Sequence, residues 1–264
     1  MLFTASVYLR VRKLISFSFF SSIAICVTGQ INLDSVRTVI ADKSQAFKYA
    51  TKKDQLEISK ELAFTYFYTD IDNEGFVEWG EVYFDLCIEN EDLNGELYGH
   101  CHFLPFYSFY NDSLYTARLE RARELAQSMD NLEIDLAISI SEAQYASFIE
   151  GDFKNGLSLL GEAEFINDRI GVNEMTPNLY YLISSVYKYA GQAQKAISYA
   201  DRIFALENLG TVDKARAHLA KGIALLDAKK LDSVAYHLNL AGTYFTQLSN
   251  TCLLYTSPSP RDRG

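Results

Sequence analysis

Proline is scarce in this chain, four residues in 264, and glycine is modest at fourteen. So little punctuation excludes the many-turn β classes and favours long helices. Positive charge is also in deficit. Twenty-four Lys and Arg face 34 Asp and Glu, a formal charge of −10, so no basic field attracts nucleic acid or anionic lipid. There is no Gly-rich phosphate loop, no Gly-x-Ser-x-Gly elbow and no zinc-protease pattern, and catalysis finds no motif to stand on. Acids such as Glu162, Glu164 and Asp168 read as a solvated helix face rather than an acid/base pair. Disorder is excluded by what is present: 48% hydrophobic and 22% charged residues are ordinary for a folded chain.

The two ends differ from the middle. Arg10, Arg12 and Lys13 precede a Phe-, Ile- and Ser-rich run from Leu14 to Val27. This is a leader pattern, and the run is shorter than the roughly 20 residues of a membrane-spanning helix. Residues 1–29 are therefore expected to be a signal peptide with Gln30 as the mature start, which places the protein outside the cytoplasm, in the periplasm or its equivalent. At the other end, Cys252 to Asp262 reads back into codons that resemble a transposase-based sequencing adapter. Residues 251–264 are accordingly read as an artefactual tail that hides a longer natural C-terminal part.

Between these ends the chain keeps a beat. Gly151-Asp152-Phe153-Lys154-Asn155-Gly156-Leu157 is echoed by Gly191-Gln192-Ala193-Gln194-Lys195-Ala196-Ile197. Apolar helical stripes precede both turns, and each Gly sits where a helix end favours left-handed backbone. Small or compact residues follow at Ala117, Gly156, Ala196 and Val234, at intervals of 39, 40 and 38 residues. That period signifies stacked helix pairs. Leu56–Tyr68 with Phe76–Cys87 predicts a further pair, Ser35–Tyr49 an opening helix with Asp34 as N-cap, and Pro177 a first helical turn. The last helix, from Asp232, carries Val234, Leu238, Ala241, Tyr244, Phe245 and Leu248 with nothing after it to cover them. Self-association or fraying is expected there.

At these residues the sequence resembles the tetratricopeptide repeat family. From Pro177 to Gly210, Tyr180, Ile183, Ser184, Tyr187, Gly191, Ala196 and Leu206 stand at that family's large, apolar, small, aromatic, turn, small and apolar positions. Ile203, Asn208 and Gln144 depart from the pattern. The resemblance implies an all-α fold: an α-solenoid of about five stacked antiparallel helix pairs over residues 30–250. It also implies a concave ligand-binding groove, carried onto Tyr145, Phe148, Tyr181, Ser185, Lys188 and Tyr189. The expected partner is a protein or peptide. The chain is similar to the exported front part of bacterial signal transducers, whose output module would lie beyond a later membrane helix. The alternatives are a free exported scaffold and a calcium-regulated binding module.

Calcium enters through Asp70 to Glu81, which resembles an EF-hand loop. Asp70, Asp72, Glu74 and Glu81 supply the carboxylates and Gly75 takes the turn position. The competing reading is an acidic junction between helices, shaped by Gly75. Once Cys26 goes with the leader and Cys252 with the tail, Cys87 and Cys101 remain as a disulfide candidate for an exported protein. His100-Cys101-His102 lacks an obvious fourth metal ligand, and adjacent helical residues point apart. Asn111-Asp112-Ser113 has the glycosylation pattern. No other cofactor is expected.

Overall fold

In the computed structural model the described residues are 33–69, 73–227 and 231–255. The expected leader (1–29), Asp70, Asp72 and the tail beyond Tyr255 lie outside them. Among the described residues there are twelve helices, packed as sequential pairs, and no sheet. An opening helix α1 (Leu33–Phe47) is followed by five pairs: α2 (Lys52–Thr69) with α3 (Asn73–Glu89); the broken helix α4 (Leu93–His102) and α5 (Leu104–Tyr110) with α6 (Asp112–Met129); α7 (Leu132–Gln144), extended by a π-helical turn (Tyr145–Glu150), with α8 (Phe153–Ile170); α9 (Thr176–Tyr189) with α10 (Ala193–Phe204); and α11 (Thr211–Asp227) with α12 (Leu231–Tyr255).

Local chemistry explains most of the boundaries. Side-chain oxygens of Asp92, Asn111, Asn131 and Asp152 accept from the amides of Gly95, Leu114, Glu133 and Asn155 and so cap α4, α6, α7 and α8. The cap uses the Asn111 carboxamide of the glycosylation pattern. Asp34 lies within the first turn of α1 rather than before it. Pro177 occupies the start of α9, where its missing N–H costs nothing. Gly151 and Gly191 hold equivalent corners of consecutive pairs at φ 75° and 74°. Asn208, a departure from the repeat pattern, also takes left-handed backbone at φ 56°, a geometry that Asn tolerates better than most residues.

The period is real, with one correction. The fourth residue of each second helix is buried: Phe76, Tyr115, Gly156, Ala196 and Val234. Ala117 is exposed, so in the second pair the inward position belongs to Tyr115, two residues earlier. A large ring there is accommodated by stacking on Tyr145 at 5.0 Å. At Gly156 no side chain fits, because a Cβ would lie 1.8 Å from Ser147 Oγ and 3.2 Å from the Ala143 carbonyl.

Pro105 breaks the first helix of the second pair. The break places Phe103 among the rings of Phe64, Phe76, Tyr83 and Phe84, at centroid separations of 5.1 to 6.0 Å. Gln144, where the repeat pattern wants a small residue, is buried and its amide donates to the Pro105 carbonyl. The departure therefore satisfies a backbone group at the break.

The pairs curl until the last helix meets the first two: α12 packs against α1 and α2, and Phe245 joins their cluster of Val36, Ile40 and Leu62 to the main core. The last helix, expected to be uncovered, is thus covered in part. Val234 and Ala241 are buried under α11, and the opening helices shelter Phe245 from the other side.

Two glycines separate backbone strain from packing. Gly191→Ala places a Cβ in open space at φ +74°, so only strain is added, and it should cost about 1 kcal/mol. Gly161→Ala, inside α8 with nothing within 4 Å, should gain up to about 1 kcal/mol. Urea unfolding of the two variants measures both. Equal shifts in the same direction would refute the assignment of Gly191 to a strained corner.

Candidate functional site

Among the described residues the curl forms a concavity of about 870 Å³, open on one side. It is bounded by α1 and α2, by α4 and α5, by the loop that enters α9, and by the loop that enters α11 together with α11 itself. Phe64, Phe106 and Leu209 give it apolar walls, while Lys60, His102 and Arg216 bring polar tips. Lys43 is held by Glu61, and Lys60 reaches Glu57 at 2.6 Å and lies over the Tyr98 ring at 5.2 Å. Arg216 pairs with Asp213 at 3.7 Å, and His102 stacks against Tyr98 at 4.2 Å with Glu174 3.9 Å away.

One lip is a rigid loop with an exposed apolar tip. Buried Asn167 accepts from Thr176 Oγ1 at 2.7 Å, and the Asn173 Oδ1 accepts from the Met175 amide at 2.8 Å. Those bonds fix residues 171–175, and Val172 stands 73% exposed at the rim.

Of the groove residues expected from the repeat resemblance, two are buried and four are part-exposed. Tyr181 and Ser185 are buried, with the Ser185 hydroxyl donating to the Tyr181 carbonyl, so neither offers surface to a ligand. Phe148 packs edge-on against Tyr189, which also stacks on Phe153 at 6.2 Å. Lys188 lies over Tyr189 at 4.1 Å. Tyr145 is half-buried on Tyr115. Tyr145 and Phe148 pack against rings of neighbouring pairs, and none of the six residues lines the concavity.

The calcium expectation meets a helix. Asp70 and Asp72 lie outside the described residues, but Glu74 and Glu81 both belong to α3, which begins at Asn73. A calcium loop needs its seventh residue's carbonyl turned toward the ion; here that residue, Phe76, is helical and buried. Gly75 shapes no turn. It lets Tyr66 pass, for a Cβ there would come within 2.4 Å of that ring. Glu81 accepts two hydrogen bonds from Arg118, at 3.1 and 2.8 Å. Among the described residues no group of three or more His, Cys, Asp or Glu is placed to hold a metal.

Cys87 and Cys101 are free thiols rather than a bridge. Cys87 sits in the aromatic core, and Cys101 Sγ faces the Glu133 carbonyl at 3.9 Å. Burial pushes both thiols up to about 12, which leaves them protonated and unreactive at neutral pH. Glu164 is not a solvated acid: it accepts from the Tyr199 hydroxyl at 2.9 Å and from Arg202, whose guanidinium also lies over the Tyr180 ring at 4.1 Å.

Sequence reasoning missed the buried carboxylate Glu96. It is 1% exposed, accepts two hydrogen bonds from Arg121 at 2.8 and 3.0 Å, and lies 3.7 Å from His100. His100 and Arg121 together hold Glu96 down at about 2 despite its burial. Only the 25-residue separation of Glu96 and Arg121, on α4 and α6, hid the pair; no local pattern marks it.

Among the described residues no helix is long and apolar enough to cross a membrane. Comparison of the chain with protein-family models, with curated proteins and with solved structures finds no match in any of the three.

All four histidines of the chain are shifted below their ordinary value of 6.5, chiefly by burial, and His218 lies at about 4. Unfolded, each imidazole takes up a proton near pH 6.5; folded, it does so only at lower pH. The unfolded chain thus binds more protons as pH falls below 6.5, and stability drains away in that direction. Glu96 adds a second loss between its ordinary 4.5 and about 2. Asp135 and Asp213, raised by burial, act in the opposite sense. The melting temperature should fall by at least about 3 °C from about pH 7 to about pH 5. A flat profile would mean that the imidazoles are not kept from protonation by the fold.

Proposed function

We propose that the chain is a divergent tetratricopeptide-like solenoid that binds a peptide or an extended protein segment in its concavity. One observation carries the reading. The cavity of about 870 Å³ combines apolar walls with a few converging polar tips, a mixture and a size that suit capture of side chains from a partner. The mixed charge at its mouth, with Lys60 and Arg216 beside Glu61, Glu174 and Asp213, favours a segment with both signs or none over a strongly charged one. The role is binding without catalysis, in keeping with the missing motifs.

On this proposal the domain works outside the cytoplasm as the sensory part of a signal transducer, and occupancy of the concavity shifts the curl between alternative arrangements. The support for export is the leader-like pattern of residues 1–29.

Selection from a displayed library of random peptides tests the binding. Peptides that bind the protein should compete with one another and lose at least about tenfold in affinity to Val172→Asp and to Lys60→Glu. Val172 is exposed, so its substitution should leave stability within about 0.5 kcal/mol. Selected peptides that bind both variants as well as the parent would remove the concavity from the account.

A further inference from the structure

The last helix pair carries a feature that the peptide-binding reading does not use. His218 on α11 and His237 on α12 bring their Nδ1 atoms to 2.9 Å. The rings are tilted by 37°, and Phe204, Tyr236 and Tyr244 surround them. Both imidazoles are half-buried, so solvent reaches them. Lys221, the nearby cation, is neutralised by Asp201. A helix pair packed this tightly holds both side chains in place: α11 and α12 meet closely enough that a Cβ on Gly222 would come within 2.8 Å of Leu238.

Two imidazole nitrogens facing each other at this distance have two chemical explanations. One ring donates its Nδ1–H to the other, or both turn lone pairs toward a shared ion. The second is geometrically specific. Nitrogens about 2.0 Å from one ion and 2.9 Å apart enclose about 90°, the cis angle of a square-planar or tetragonal site. A tetrahedral zinc pair would stand about 3.3 Å apart. We propose that His218 and His237 form a two-imidazole site for a divalent transition-metal ion of tetragonal preference, Cu(II) above Ni(II), with water in the remaining positions. The site spans the α11–α12 pair and is formed by residues outside the concavity. Loading it clamps α11 to α12, the helix that packs against α1 and α2.

The test uses the full chain without an affinity tag, titrated with Cu(II) and then with Ni(II). Frozen-solution electron paramagnetic resonance of the copper form should show one site per chain with two imidazole nitrogens. His218→Gln and His237→Gln should each weaken binding by about tenfold or more, and Ni(II) should bind at the same place less tightly than Cu(II). Unchanged affinity in the double variant, a copper signal without imidazole nitrogen, or no binding at millimolar Cu(II) would overturn the site. Should the variants misfold, acylation of the two imidazoles in the parent protein, read by peptide mass, gives a second measure. Cu(II) should protect both together, and an acylation rate unchanged by the metal would refute the proposal.

Discussion

No helix pair in this chain buries both of its apolar faces unaided, and everything else in the structure follows from how the neighbours supply the missing cover. Each second helix buries its fourth residue, from Phe76 to Val234. A linear stack would leave the outer faces of its first and last pairs wet. Here the two ends cover one another. Phe245 on α12 reaches the small cluster of Val36, Ile40 and Leu62, and the same curl that solves the burial problem creates the concavity.

Polar groups are placed to serve that packing. Gln144 answers the carbonyl exposed by the Pro105 break, Asn167 and Asn173 tie down the loop that forms the cavity rim, and Arg121 compensates the deeply buried Glu96. Buried charge is tolerable only with such a partner, because desolvation of an unpaired carboxylate costs several kcal/mol, on the order of a large share of total stability. The depressed imidazoles follow from the same crowding. His100 lies against Phe84 at 4.9 Å and His102 against Tyr98, so their protonated forms are the ones that burial penalises.

The helix pairs and their stride were legible in the sequence, and so was each corner where Gly151 and Gly191 take left-handed backbone. The lining of the concavity was not. Tyr181 and Ser185 were placed on an open groove because their spacing puts them on one face of α9, yet that face is covered by α11. The second pair misled in a different way. Ala117 keeps the forty-residue interval, but its helix begins at Asp112 because Asn111 caps it, so Tyr115 turns inward instead. The acidic run at 70–81 offered calcium-loop spacing, and a helix that starts at Asn73 claimed the backbone such a loop requires.

Helix type, the stride of the pairs and the corners at Gly151 and Gly191 were determined by the sequence alone, because a cap, a left-handed glycine or a proline acts on residues within one turn of itself. Curvature was decided only in three dimensions. It accumulates from the packing angles of five successive pairs, each set by the volumes that meet between helices, and no local pattern encodes their sum. The concavity, the Glu96–Arg121 pair and the meeting of His218 with His237 all depend on that sum or on helix-to-helix register, which is why they emerged with the tertiary structure.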